Sequence, residues 1–554
     1  MKCNRRVFNK FTTVSTLGLL SSAGAIANAV STTPKDQFYF QINMFGSPSR
    51  WYFDSILKPH AHSEFIHKNK MVSTKIDTTT TELKAEYQTV KFNNINAPLL
   101  WNEKIIQNKE LRIGNLFDQA LIIRGCDMIL DGHEAISRKL VTPFLGGESL
   151  TGRLTDYSRL PFPTVQFLQA SSPLSSTPGA FNSKKSLSPI NLFERVDYFD
   201  FMFSEKMAKK LSKKEISAID RINKFLNIKK VDLKFLENLT NKDIRKLKKE
   251  YLNNVKRYQS IIRETTKSYS NMDCFQKTIS GLKTNQLIPS LSKYPNSLDY
   301  LGAYYIQDNF IADENLLKCL KNIKFPKLAE QFAMSELLTK HKISNTFVLM
   351  MIPPYDIKLN KLYSQDNLNI DHDNKIIKTK AKPFAKNFEF TFDTHEEGLL
   401  IDFVVNNAYF YTLSHCIHEL KQFLIKEKLY NDSLIHIVSE FERTPKHNLA
   451  GSDHGFQEHT STLISGKFDS LHIAGNIYTN STSEEVLNNN NGTWGMGAPH
   501  AILKDRKVSY RNVLNTITDL LSIPSLSKSD TSLVYRKNNK WFPTIKAENI
   551  SWES

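Results

Sequence analysis

The chain has 554 residues, with 73 Lys and Arg against 56 Asp and Glu and a net charge of +17. That length suffices for one large α/β domain with insertions, or for two domains. The excess charge is mostly Lys spread along the chain, without the Arg–aromatic clusters of a nucleic-acid stacking platform. Nucleic acid is therefore not expected as a partner, whereas an anionic substrate or a negatively charged envelope surface suits such a field.

The N-terminus carries Arg5-Arg6-Val7-Phe8-Asn9-Lys10, then a weakly apolar run from Val14 to Ala27 and a small-residue exit at Ala27-Asn28-Ala29. This run is too short and too polar to span a bilayer, so it reads as a cleaved signal peptide over residues 1–29. The paired arginines favour the twin-arginine route, in which export machinery carries already folded proteins, and place the mature protein in the periplasm or outside the cell. No later stretch offers the roughly 18 uninterrupted apolar residues of a membrane helix, so no stable membrane span is expected. Cys126, Cys274, Cys319 and Cys416 are widely separated and form no CxxC pair. An oxidising compartment permits a disulfide, but the spacing demands none and offers no thiolate metal site.

In chain order, Phe38 to Phe45 reads as a first strand, and Ala120 to Arg124 as a short, nearly continuous apolar one. The region from Asp197 to Glu264 is Lys-rich and helical. Within it Thr240-Asn241-Lys242-Asp243 makes a capping box for a helix striped by Ile244, Leu247, Tyr251, Val255, Tyr258 and Ile262. Thr346 to Ile352 is another apolar strand, stopped by Pro353-Pro354. Leu413, Ile417, Leu420 and Leu424 fall on one helical face, and Leu434 to Val438 follows as a strand. Apolar strands alternating with amphipathic helices predict an α/β fold with a doubly wound, mostly parallel sheet covered on both faces. The expected organisation is a first part of the α/β domain over 30–196, a helical insertion over 197–270 and the remainder over 271–554.

Three short stretches carry the chemistry. Phe388, Phe390 and Phe392 alternate along a predicted strand that ends in Asp393-Thr394-His395. Two residues apart on an extended backbone, Asp393 and His395 project to one side and could grip one metal. Equally, Asp393 could cap a following helix, with His395 merely exposed. The strand Leu434 to Val438 delivers Ser439-Glu440, and Gly451-Ser452-Asp453-His454-Gly455 sits in a polar loop beyond it. Acids and imidazoles gathered at strand ends are how an α/β enzyme builds a metal or acid/base site.

The Asp393-Thr394-His395, Ser439-Glu440-Phe441-Glu442-Arg443-Thr444 and Asp453-His454-Gly455 series behind a paired-arginine leader resembles a large uncharacterised family of exported bacterial proteins. That family is placed in the alkaline phosphatase-like superfamily with sulfatases and cofactor-independent phosphoglycerate mutases. The resemblance is clearest from Phe388 to Gly455 and reaches a closing helix at Val513 to Leu521. It implies a metal-facing set of Asp393, His395, Glu440, Asp453 and His454 for one or two divalent ions (zinc, manganese, calcium or iron). It also implies a catalytic place for His133 in Gly132-His133-Glu134-Ala135, and hydrolysis of phosphate or sulfate esters, either small molecules or polymers.

The chain departs from relatives in carrying one glycine after the first strand, in Phe45-Gly46-Ser47-Pro48-Ser49-Arg50, with Asp54 as the nearest acid. Asp393 lacks a preceding tryptophan, and Glu442 stands where a glycine is expected. Ser47 and Ser49 have an ordinary turn composition, and no Ser, Thr or Cys has the context of a nucleophile. Arg443 could bind a phosphate or sulfate oxygen bidentately, or form a surface salt bridge. His500 lies in a Gly-rich stretch that reads as a surface turn or as a loop approaching substrate. Two functions are expected of such a chain: a metal-dependent hydrolase of anionic esters, or a non-catalytic envelope protein that keeps the fold for binding or assembly.

Overall fold

In a computed structural model the structure describes residues 36–57, 73–77, 84–87, 89–129, 132–142, 147–168, 183–184, 189–203, 239–275, 304–306, 323–351, 357–364, 384–388, 392–393, 399–445, 452–455, 458–478 and 495–550. The central sheet is built from β1 (Phe38–Met44), β2 (Ala120–Cys126), β3 (Thr164–Leu168), β4 (Ile190–Phe193), β5 (Thr346–Met351), β6 (Ser433–Ser439), β7 (His459–Ile464) and β8 (His472–Ala474). Across the sheet they run in the order β4-β3-β5-β1-β6-β7-β2-β8. β7 is antiparallel to both of its neighbours, and every other pairing is parallel.

Alternation along the strands divides the core in two. Phe38, Phe40, Ile42 and Met44 of β1 join Ile122, Ile435 and Ile437 on one face. α4 (Leu328–Lys340) and α5 (Leu399–Lys426) belong to that cluster, with α3 (Asn241–Ser268) packed against both of them. Tyr39, Leu121, Ile123, Leu434 and Val438 lie on the other face, under α1 (His133–Val141), α2 (Leu150–Tyr157) and α6 (Tyr510–Leu520). The result is a mixed α/β fold of three layers. β1, β2, β5 and β6 are buried along their whole length, as strands covered on both faces must be.

The Thr240–Asp243 capping box is formed, and Leu247, Tyr251, Val255, Tyr258 and Ile261 make the buried stripe of α3. Ile261 takes the fully packed place expected of Ile262, which is only partly buried. The stripe faces α4 and α5, which makes it a packing face. Tyr258 donates to Glu336 at 2.6 Å, and Arg257 pairs with both Glu336 and Glu419. Residues 204–238, also expected to be helical, lie outside the described residues. The closing helix begins three residues before the expected Val513, at Tyr510.

Two local expectations need correction. The strand Phe384–Phe388 pairs with Ile357–Ser364 in a separate three-stranded antiparallel sheet, residues 389–391 of the expected strand lie outside the described residues, and Phe392 and Asp393 stand in no strand. The predicted loop before His454 is a strand, Ser452–Gly455, paired antiparallel with Glu442–Pro445.

Arg124 at the end of β2 is buried and has carbonyl partners at Gly475, Ile56, Leu57 and Glu548, plus the Asn549 side chain. It ties the segment after β1, the turn after β8 and the C-terminal region to one cation. Arg124→Ala should lower the free energy of unfolding by about 3 kcal/mol or more, since each orphaned buried acceptor costs about 1–3 kcal/mol. Urea titration with an unchanged m-value would register it, and a loss under 1 kcal/mol, on the same scale, would remove Arg124 from this role.

Candidate metal centre

The candidate site forms where β1 and β6 end side by side, with Met44 in register with Ser439. After β1 the chain turns through Gly46 (φ 94°) and Ser47 (φ 53°), two consecutive residues in the left-handed region. A side chain at Gly46 would press on Phe392 at 3.1 Å, so glycine is needed there for space as well as for φ. For serine the conformation costs about 1–3 kcal/mol and persists only where its surroundings fix it.

Those surroundings come from the end of β6. The Gly46 amide donates to both Glu440 oxygens at 3.1 and 3.2 Å, and Ser47 Oγ donates to Glu440 Oε2 at 2.9 Å. The Phe441 amide donates back to Ser47 Oγ at 3.1 Å. Arg443 Nε donates to Ser47 O at 3.0 Å, and its Nη2 reaches Gly46 O at 3.3 Å, Phe392 O at 3.5 Å and the Asp393 carboxylate. Glu440 and Arg443 are both fully buried, and Arg443 Nη1 has no partner among the described residues. Arg443 is therefore not a surface salt bridge. Its guanidinium braces the turn and holds Asp393.

Above this clamp lie His133, Asp393 and His454. His133 opens α1, His454 sits on the hairpin opposite Arg443, and Asp393 follows Phe392. His133 Nε2 is 3.2 Å from Asp393 Oδ2, and His454 Nε2 is 3.6 Å from Asp393 Oδ1. One ligand atom from each of the three lies within 4.8 Å of the other two. The imidazoles meet edge to face at 5.0 Å, with Phe441 against both and Phe45 against His133. Asp393 remains 36% exposed, so the group opens to solvent. Burial disfavours a charged His133, but Asp393 and Glu440 outweigh it and raise the imidazole to about 9. A cation is the natural guest of this arrangement, whether a proton or a metal ion.

His133, Asp393 and His454 thus form a group that could hold a metal ion. Two imidazoles and a carboxylate fit zinc, manganese or iron, and leave positions open for water or substrate. Calcium, which takes oxygen ligands, fits less well. Of the five residues expected to face metal, Asp393 and His454 are brought together, joined by His133. Glu440 lies beneath them, engaged by the turn. His395 lies outside the described residues, as does the side chain of Asp453. His500 accepts from the Ile502 amide and so caps a short turn.

Sequence reasoning passed over Gly46, Ser47 and Ser137 as parts of the site. A glycine followed by a small polar residue, directly after a fully buried strand, was the available signal, since α/β sites gather at carboxyl ends of strands. The geometry defines an α/β protein with a His–Asp–His group at the ends of two central strands. Comparison of the chain with family models, curated proteins and solved structures finds no match.

Proposed function

We propose that the chain is an exported, metal-dependent hydrolase of phosphate or sulfate esters with an alkaline phosphatase-like fold. The observation that carries the reading is the convergence of His133, Asp393 and His454 within 4.8 Å at the ends of β1 and β6. The fold assignment is supported by the strand order β4-β3-β5-β1-β6-β7-β2-β8 with β7 alone reversed. Export rests on the Arg5-Arg6 leader, and among the described residues no helix is long and apolar enough to cross a membrane.

Bound here, a divalent ion supplies Lewis acidity, lowering the pKa of water and polarising an ester oxygen. The chain's own part is to hold the three donors. α1 presents His133, the hairpin presents His454, and Arg443 orients Asp393 from below. The buried Arg443 Nη1 is a donor suited to an anionic oxygen. Ser47 Oγ already donates to Glu440 and accepts from Phe441, which favours water over this hydroxyl as the attacking group.

Purified protein should contain at least one divalent ion per chain, and should hydrolyse some member of a panel of phosphate and sulfate monoesters. Asp393→Ala should cut that turnover by more than about 100-fold, beyond the usual cost of an outer-shell partner. A metal-free protein that gains no turnover on adding zinc, manganese or iron would sink the hydrolase reading. The second reading, an envelope protein that binds rather than turns over anions, draws on the commitment of Ser47 and Arg443 to the turn. Metal bound without turnover would favour it.

A further inference from the structure

We infer that Glu440 is a positioning residue that fixes the ring of His133 for metal binding, and is not itself a ligand; this rests on the metal-site reading above. Glu440 Oε1 is 3.5 Å from His133 Nδ1, on the side of the ring opposite the Nε2 that faces Asp393. Ser137, one turn further along α1, also donates to Glu440 Oε1 at 3.4 Å. Two residues of α1 therefore converge on one carboxylate, which sets both the rotation of the helix and the angle of the imidazole.

The carboxylate has little freedom to do otherwise. It is fully buried, and the Gly46 amide and Ser47 hydroxyl hold its oxygens from the side away from α1. From 3.5 Å the carboxylate is a charge partner for Nδ1–H and favours the tautomer with the proton on that nitrogen, which leaves Nε2 as the lone-pair donor toward the site. Metal-ligating histidines commonly have such a partner, and its loss typically weakens metal binding 10- to 100-fold. The left-handed turn at Gly46-Ser47 thereby acquires a purpose. It points an amide and a hydroxyl at Glu440, so that strain in the turn is spent on aiming an imidazole at the metal.

The test is a zinc titration of the full chain against a chromogenic chelator, comparing the unaltered protein, Glu440→Gln and Glu336→Gln, a buried carboxylate on α4 outside the site. Glu440→Gln should raise the zinc Kd about 10- to 100-fold, whereas Glu336→Gln should stay within about threefold. An unaltered protein that binds no zinc overturns the metal-site reading. If it binds zinc and Glu440→Gln binds equally well, the positioning role alone fails. Equal weakening by both variants also overturns it, because the loss of any buried carboxylate would then suffice. Should Glu440→Gln fold poorly, the zinc-loaded unaltered protein decides by nitrogen-15 histidine NMR. The His133 signal, assigned by its loss in His133→Ala, should show a protonated Nδ1 and a metal-bound Nε2. The reverse tautomer overturns the proposal.

Discussion

Arg443→Ala is expected to destabilise the protein by about 3 kcal/mol or more, although Arg443 belongs to neither hydrophobic cluster. Its guanidinium is the shared donor for Ser47 O, Gly46 O and Phe392 O and the partner of Asp393. Removing it leaves buried carbonyls without that donor, at about 1–3 kcal/mol each. It also frees a turn whose serine is held in the left-handed region. Arg443→Lys keeps the charge but not the fork, so it should recover only part of the loss. Chemical denaturation of the three proteins, read at constant m-value, checks this. If Lys is as good as Arg, the charge matters and the bracing geometry does not.

The stability of the metal-free protein should peak near pH 6.5 and decline on both sides. Below the peak the buried histidines dominate. Burial depresses His436 to about 3, and His415 and His418 to about 4, while His459 falls well below its ordinary value. Between those values and 6.5 the unfolded chain binds more protons, so stability is lost as pH falls. Above the peak the folded state binds more. Burial raises Glu442 to about 8, with Arg50 opposing and Asp54 reinforcing the shift. Burial likewise raises Glu336 to about 7 against the pull of Arg257, and His133 is held near 9. Folded carboxyls kept neutral lose stability as pH rises from the ordinary carboxylate range, by up to about 1.4 kcal/mol per pH unit for each group. Glu442→Gln keeps the shape without the charge. It should stabilise the protein at pH 8 and flatten the alkaline limb, as followed by thermal unfolding from pH 5 to 9. An equal or lower midpoint for the variant at pH 8 would refute the burial of an uncharged Glu442.

The sheet was legible because its strands are apolar on both faces. Phe38–Met44, Ala120–Cys126, Thr346–Met351 and Ser433–Ser439 each lie at or within two residues of the expected bounds. The reversed strand β7 was not legible. His459-Thr460-Ser461-Thr462 is polar, and it is buried by a network of hydroxyls, imidazoles and Arg50 that hydropathy cannot register. In the site, Asp393 and His454 stood out because acids and histidines are conspicuous beside turns. Glu440 was conspicuous too, but its engagement by the Gly46 amide and the Ser47 hydroxyl could not be read from its neighbours in sequence. Ser47 looked like a turn residue, and its left-handed backbone, set by partners about 390 residues away, was invisible in its neighbours.

The spacing of the clamp along the chain bears on when the protein can begin to work. Gly46 meets Glu440 across 394 residues, and Ser137 meets it across 303. Closing such loops is entropically expensive and is repaid only once β6 has docked beside β1. The stretch from β6 through the hairpin to β7 pairs locally, whereas the partners of Glu440 come from the segment after β1 and from α1. During synthesis, therefore, no N-terminal piece ending before Glu440 has the carboxylate that the Gly46 amide and the Ser137 hydroxyl meet, and the left-handed turn lacks that partner until β6 is made.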